Sequence, residues 1–251
     1  MIKPFASLVA LSLLASCSAG PPRMPLERID RVLADAPGAA QPGKIVAREI
    51  EFSRAARENG QWTAFRAFMA PGALIHGQSG AIDADQWLAT QADPPEAVQW
   101  AARSVWMSCD GRLAVSRGRF RDPDGRIGTF VTVWQQQADR SYKWVYDSGA
   151  LDDPQPDGQL ADDGAGIIVS ADEIIQGYVA DCPGSGGAAP DNWANLRPAG
   201  TQSGGAQSPD GTLHWSWYHY PNGGRSIEAR YLVDGQWETA LDERFPAPES
   251  Q

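Results

Sequence analysis

The stretch from Gly125 to Gly149, GRIGTFVTVWQQQADRSYKWVYDSG, most constrains what this chain can fold into. Aromatic and β-branched residues recur at every second position in both of its halves, namely Phe130, Thr132 and Trp134, then Tyr142, Trp144 and Tyr146. This period is typical of half-buried strands, because successive side chains of a strand point to opposite faces. The stretch therefore predicts two antiparallel strands, with each set of three residues on one face.

Two Asp-Gly pairs extend the pattern toward the N-terminus. Asp110-Gly111 lies between residues 102–108 and 113–120, and Asp124-Gly125 follows the second of these runs. Asp-Gly is a preferred centre for a two-residue hairpin, because both central positions take positive φ. Residues 102–149 are therefore predicted to form an antiparallel meander of four strands.

Helical patterns precede this meander. Helices are predicted at residues 44–59, 61–69 and 84–91, and a short strand at 73–76. The apolar residues of the first helix, expected to face inward, are Ile45, Val46, Ala47, Ile50, Ala55 and Ala56. Gly60 is a natural stop for that helix. Helices followed by a curved antiparallel sheet predict an α+β cone.

Three segments resemble the NTF2-like superfamily, of the SnoaL-like or DUF4440-like kind: EFSRAARENGQWTAFRAFMAPGALIHG, SCDGRLAVSRGRFRDPDGRIGTFVTVWQQQ and YKWVYDSG. The resemblance covers residues 44–151. It implies a cystatin/NTF2-like cone, with N-terminal helices packed against a curved antiparallel sheet. It implies little about function, because the same cone carries isomerases, dehydratases, cyclases and many non-enzymes.

The N-terminus has the form of a secretory signal. A lysine is followed by an apolar run over residues 5–14, which is too short to cross a membrane as a helix. The ending Leu14-Ala15-Ser16-Cys17 resembles the bacterial lipobox, in which Cys17 becomes lipidated; an ordinary cleaved signal is the alternative. The serine that follows favours the outer membrane by the same resemblance. We expect residues 1–17 to be a lipoprotein signal of the bacterial cell envelope, with the body on the periplasmic face.

Two segments around the cone have the composition of connectors. Residues 18–43 are rich in Pro, Ala and Gly and predict a tether, with a short docked helix at 25–36 as the alternative. Residues 152–212 predict an acidic and Gly/Pro-rich linker. Inside it, a capping box from Ser170 to Glu173 favours a short helix, and a strand through Gly177–Asp181 is the alternative.

The C-terminal part returns to a strand pattern. Residues 183–209 have little apolar content and are predicted to be a mobile loop. Residues 213–245 then alternate apolar and polar residues, and two turn sequences divide them into three strands. The apolar face of such a meander needs a cover. We expect this three-stranded β extension to lie on the cone or extend its sheet.

Charge and composition limit the partners. The formal net charge of -10 argues against nucleic acid and against attachment to anionic lipid through basic residues. Core packing explains the ten tryptophans, with an aromatic ligand cage as the alternative. The sequence has no metal-ligand cluster, phosphate loop, nucleophile elbow or dinucleotide fingerprint, so no metal or cofactor is expected. It leaves a homodimer open.

The cysteines predict one disulfide. Of the three, Cys17 is assigned to the lipid, which leaves Cys109 and Cys182. An even remainder in an oxidising envelope predicts that the two are bonded. Cys109 lies at the first Asp-Gly turn and Cys182 lies after the cone, so the bond would tie the extension to the meander.

Three titratable residues are candidates for catalysis: His76, Asp147 and Glu49. Asp147 ends the last cone strand, near where related cones place acid–base groups by resemblance. A buried carboxylate beside a histidine would suit proton abstraction or dehydration, because burial raises its pKa toward neutrality. Each residue also has a structural explanation: the histidine can pack, the aspartate can cap a turn, and the glutamate can pair with an arginine.

We expect a mainly apolar cavity between the first two helices and the concave face of the sheet. The candidate ligand-binding residues are Phe52, Phe65, Phe68, Trp134 and Trp144, with Ile50 beside them. Such a wall favours a small apolar molecule. The favoured function is a lipid-anchored, non-catalytic binding or structural module, and the alternative is a small-molecule lyase or isomerase. An enzyme would need at least two titratable groups that converge inside the cone.

Overall fold

The computed structural model of the chain describes residues 40–156, 175–182 and 198–247. The signal, the Cys17 lipobox, most of the tether and the capping box at Ser170 lie outside the described residues. The described helices are α1 (Pro42–Asn59), α2 (Gln61–Phe68) and α3 (Ala84–Leu88). None of these helices is long and apolar enough to cross a membrane.

The described strands form two sheets. The larger sheet has seven strands: β1 (Met69–Gly77), β2 (Gly80–Asp83), β3 (Gln99–Met107), β4 (Leu113–Arg121), β5 (Ile127–Gln136), β6 (Tyr142–Leu151) and β7 (Gln176–Val179). Its spatial order is β2-β1-β6-β5-β4-β3-β7, with parallel pairs at β1·β6 and β3·β7. The smaller sheet has four antiparallel strands: β8 (Gln202–Gln207), β9 (Leu213–His219), β10 (Arg225–Val233) and β11 (Gln236–Phe245). The predicted meander is β3 to β6.

The helices cover the concave face of the larger sheet and form a hydrophobic core with it, to which α1 contributes one buried face. Its buried positions are Ile45, Glu49, Phe52, Ser53 and Ala56, which recur about once per turn and lie on one face of the helix. Two of these five are polar, so the inward face is not purely apolar. The predicted inward position of Ile50 is wrong, because that side chain is 59% exposed.

The smaller sheet packs on the convex face of the larger one. The Tyr146 and Trp215 rings lie 5.1 Å apart across this interface, and Val131, Val133, Leu213 and Ile227 are fully buried in the same cluster. Arg117 and Glu243 form an ion pair of 2.5 Å between the sheets. The extension therefore shares a core with the cone, and the larger sheet is covered on both faces.

Two predictions for the connecting segments are corrected by strands. Where the helix favoured after Ser170 would continue, residues Gln176–Val179 form β7, which matches the strand alternative over Gly177–Asp181. Its Tyr178 stacks on Trp106, with the ring centres 5.6 Å apart. The loop predicted over residues 183–209 contains β8, an edge strand with exposed side chains that pairs with β9. Backbone hydrogen bonds to β9 hold β8 in the sheet, and its side chains are mostly exposed. Its sequence therefore shows no apolar pattern. A Cβ on Gly204 would lie 2.7 Å from the Trp217 indole nitrogen, so this strand needs glycine there.

The predicted disulfide is present in the structure. It joins Cys109 and Cys182 across 73 residues, with the Cα atoms 5.0 Å apart. Through this bond the end of β7 is tied to the turn between β3 and β4. Closing so long a loop removes conformational freedom from the unfolded chain, and the chain-entropy model assigns it about 4 kcal/mol.

A β-bulge in β6 decides which residues face the cone. Trp134 pairs with Trp144 and Val133 pairs with Tyr146, so Val145 is an extra residue on β6. The sequence placed Tyr146 on the same face as Trp144, and this prediction is wrong. Beyond the bulge the alternation is inverted, so Tyr146 joins the core between the sheets and Asp147 turns to the concave side.

Candidate functional site

A cavity of about 270 Å³ lies between the helices and the concave face of the larger sheet. Seven aromatic side chains form most of its wall: Phe52, Trp62, Phe65, Trp87, Trp100, Phe120 and Phe130. The other lining residues are Gln61, Ile75, His76, Gly77, Val98, Thr132, Asp147, Ser148 and Gly149. Ligand pockets span about 300–1,000 Å³, so this cavity suits a molecule smaller than a typical drug.

The start of α2 is fixed so that its aromatic residues reach this cavity. Gly60 has φ of 103°, and a Cβ there would come within 2.4 Å of the Asp93 carboxylate. That carboxylate accepts from the backbone N–H of Trp62 at 2.6 Å and from the Thr63 hydroxyl at 2.6 Å. Trp62 in turn meets the edge of Trp87 from α3 at 5.0 Å. One glycine and one capping aspartate therefore place the indoles beside the cavity.

Asp147 is the acidic residue of the cavity wall. The Thr132 hydroxyl on β5 donates to its Oδ2 at 2.7 Å. Burial raises the pKa of Asp147 to about 7, and the negative charge of Glu49 adds to this rise, while the bond from Thr132 opposes it. The carboxyl group is therefore about half ionised at neutral pH, and it can accept a hydrogen bond when ionised or donate one when protonated.

Glu49 lies behind the cavity wall and is saturated with hydrogen bonds. The Trp100 indole donates to Oε2 at 3.1 Å, and the Trp134 indole and the Ser116 hydroxyl donate to Oε1 at 3.0 and 2.5 Å. Burial raises the pKa of this carboxyl group more than the three donors lower it. The donors are all neutral, so the arginine partner considered from the sequence is not the one found. Glu49 orients two indoles and does not line the cavity.

His76 borders the cavity, but its ring lies on the opposite face of the sheet. Nδ1 is 2.7 Å from the Tyr146 hydroxyl, and Nε2 is 3.1 Å from Nδ1 of His219 on β9. Burial, with the nearby Arg225 cation, lowers the pKa of His76 to about 3. The imidazole is thus neutral and held between the sheets. The structure does not bring His76 and Asp147 together as an acid–base pair.

The candidate ligand-binding residues divide into two groups. Phe52 and Phe65 line the cavity. Phe68, Trp134 and Trp144 are packed beneath it: Phe68 stacks on Phe52 at 4.8 Å, and the Trp144 indole donates to the Phe65 carbonyl at 3.1 Å. The wall also contains Phe130, on the sheet face expected to line the cavity, and four aromatic residues that were not among the candidates: Trp62, Trp87, Trp100 and Phe120. The sequence signals for two of these four were the helical spacing of Trp62 with Phe65 and the predicted inward position of Trp87 on the third helix.

Comparison with known proteins gives structural neighbours. No protein-family model matches the chain, and no curated protein matches it. An NTF2-like protein of unknown function from Methylobacillus flagellatus aligns at 15% identity and a TM-score of 0.35, over 43% of this chain and 89% of its own. Nuclear transport factor 2 from Cryptosporidium parvum aligns at 13% identity and a TM-score of 0.35, over 45% of this chain and 95% of its own. An NTF2-like superfamily protein from Salmonella enterica aligns at 10% identity and a TM-score of 0.29, over 56% of this chain and 100% of its own.

These likenesses concern the fold, and nothing about binding or catalysis follows from them. The chain has helices first and then a sheet packed against them, as the resemblance to the NTF2-like superfamily implied. The implied sheet was antiparallel, whereas the larger sheet is mixed, with parallel pairs at β1·β6 and β3·β7. The extension predicted with three strands has four, β8 to β11, because β8 pairs with β9.

Proposed function

We propose that the cone is a non-catalytic binding module for a small, mainly apolar molecule with one polar group directed at Asp147. The observation that carries this proposal is the composition of the cavity wall, which combines seven aromatic side chains with one carboxyl group. Burying apolar surface stabilises a complex by about 25 cal/mol per Å². The carboxyl group and Thr132 then fix the orientation of the bound molecule.

Binding is favoured over catalysis by the placement of the titratable groups. Acid–base catalysis of an isomerisation or elimination needs two such groups that reach the reacting atoms. Among the described lining residues, only Asp147 directs an ionisable side chain into the cavity, since His76 points to the other sheet. The lyase or isomerase remains a second candidate, because a carboxyl group with a pKa of about 7 is suited to act as a general base.

Titration with 2-phenylethanol tests the binding proposal. The full chain should bind it with a saturable change in tryptophan fluorescence, because Trp62, Trp87 and Trp100 line the cavity. Gly77→Leu should weaken binding at least about tenfold, since a close-packed interior cannot hold both the new side chain and the ligand. Gly77 lines the cavity, and a Cβ there meets nothing within 4 Å, so this variant should still fold.

Gly43→Leu is the matched control. Gly43 is exposed at the start of α1, and a Cβ there also meets nothing within 4 Å. Equal affinities for the wild type and both variants would contradict binding inside the cone. If the protein turns over a small molecule, and Asp147→Asn abolishes this turnover while the fold is retained, the lyase or isomerase is favoured instead.

We also propose that the protein is held to the bacterial envelope through a lipid on Cys17, which lies outside the described residues. The proposal rests on the lipobox-like ending Leu14-Ala15-Ser16-Cys17. The Cys109–Cys182 disulfide is in keeping with an oxidising compartment. Cys17→Ala should move the protein out of the membrane fraction or leave it unprocessed, as seen on fractionation and fatty-acid labelling. Unchanged fractionation and labelling would refute the anchor.

A further inference from the structure

We propose that the molecule held in the cone is a small organic cation, a protonated primary or secondary amine with an apolar body, bound by Asp147 and the aromatic wall. This inference rests on the proposed binding function and names the class of ligand. It follows from the charges that border the cavity, from the free side of the carboxylate, and from the chemistry of the rings.

The described lining of the cavity carries one carboxyl group, that of Asp147. No lysine or arginine is among the described residues that line it. Three groups face Asp147. They are the Thr132 hydroxyl from β5, the backbone of Ile75, which pairs with Asp147 from β1, and the carboxyl group of Glu49 behind the wall. An unpaired carboxylate is costly in an apolar surrounding, and a cation that enters beside it removes much of this cost.

A buried arginine behind the cavity wall belongs to the other side of the sheet. Arg225 on β10 donates to the Ser148 hydroxyl at 3.2 Å and to the Gly149 carbonyl at 2.7 Å. Its guanidinium also lies 4.9 Å from the centre of the Phe245 ring. These contacts hold Arg225 between the two sheets, so it is not the hydrogen-bonding partner of Asp147.

One oxygen of Asp147 remains for a ligand. Thr132 donates to Oδ2, and within the described residues no other side chain or backbone N–H donates to the carboxylate. An ammonium N–H is a donor that such an oxygen prefers, since charge-assisted bonds are shorter and stronger than neutral ones. A carboxylate ligand would be repelled by Asp147 and by Glu49.

The aromatic wall adds a second attraction for a cation. The faces of tryptophan and phenylalanine rings carry negative potential, and tryptophan is the strongest partner in cation–π contacts. Three indoles line this cavity, from Trp62, Trp87 and Trp100. A neutral apolar molecule also packs well against these rings. The carboxylate of Asp147 is therefore the group that selects an amine.

A comparison of phenethylamine with 2-phenylethanol tests this inference on the full chain. The two probes share a phenylethyl body and differ in the polar group. At neutral pH phenethylamine should bind at least about tenfold more tightly, because a hydrogen bond between charged groups is stronger than one to a hydroxyl. Asp147→Asn should remove this preference, because asparagine cannot ionise and so cannot form a charge-assisted hydrogen bond with the ammonium group. Asp124→Asn, at a turn side chain that is 78% exposed, is the control and should keep the preference.

The pH dependence gives an independent readout. Phenethylamine stays protonated throughout the range, so its affinity should rise as Asp147 ionises and level off above the pKa of about 7. The affinity for 2-phenylethanol should change less. Equal binding of the two probes, or a preference that survives Asp147→Asn, would overturn the amine inference and leave the binding function standing. Failure of both probes to bind would overturn the binding function and the inference together.

Discussion

Phe52→Ala is expected to lower the free energy of unfolding by about 3–5 kcal/mol, the cost of removing a large buried ring and leaving a cavity. The Phe52 side chain is 2% exposed. Its ring centre lies 4.8 Å from those of Phe65, Phe68 and Trp100, so it joins α1, α2 and β3 in one cluster. Chemical denaturation with an unchanged m-value would measure the loss.

Ile50→Ala is the matched control on the same helix. Ile50 is 59% exposed, so the same kind of truncation should change the free energy of unfolding by no more than about 0.5 kcal/mol. The apolar pattern of the sequence places both residues inward, and the structure separates them. Similar losses for the two variants would mean that α1 presents a different face to the sheet.

Asp147→Asn is expected to stabilise the protein at alkaline pH and to leave it unchanged near pH 4. The pKa of Asp147 is raised in the fold, from 3.8 to about 7, so the folded chain binds a proton more readily than the unfolded one. Stability from this group is therefore complete below pH 3.8 and is lost as the pH rises through about 7. Asparagine can still accept the hydrogen bond from Thr132 but cannot ionise.

The expected gain at pH 8 is about 2 kcal/mol, from an upper bound of about 4 kcal/mol for such a shift. The lower figure applies because the side chain is only half-buried and borders a cavity that water can enter. Denaturation series at several pH values would measure it, with Asp124→Asn as the exposed control. A loss of stability at pH 8, or a gain that does not vary with pH, would contradict the placement of Asp147.

Local patterns predicted the meander, and one inserted residue limited what they could say about the site. Alternation grouped Phe130, Thr132 and Trp134 on one face of β5, and the structure has all three on the side of the helices. The bulge at Val145 then exchanged the faces of Tyr146 and Asp147. A bulge leaves no distinct composition in the sequence, and a shift of one residue moves every later side chain to the other face.

Helix periodicity misjudged α1 for a related reason. Glu49 lies on its buried face because two indoles and a hydroxyl supply three donors to the carboxylate. Those partners come from β3, β4 and β5, far along the chain, so no local pattern reports them. The apolar Ile50, one position on, faces solvent instead.

The role of His76 also depends on distant residues. Its ring partners are Tyr146 and His219, 70 and 143 positions away. The sequence could identify the strand that carries His76, but the second sheet decides which face of that strand has a partner. Ser148 is a similar case, because its hydroxyl is directed at the smaller sheet and accepts from Arg225, 77 positions away.

A crystal structure of the full chain soaked with 2-phenylethanol tests the central claim, binding inside the cone, most directly. We predict electron density for the phenyl ring against Phe52 and Trp100, with the hydroxyl directed at Asp147. A cavity that holds only solvent at saturating ligand, or aromatic side chains that fill the space while the ligand lies elsewhere, would contradict it.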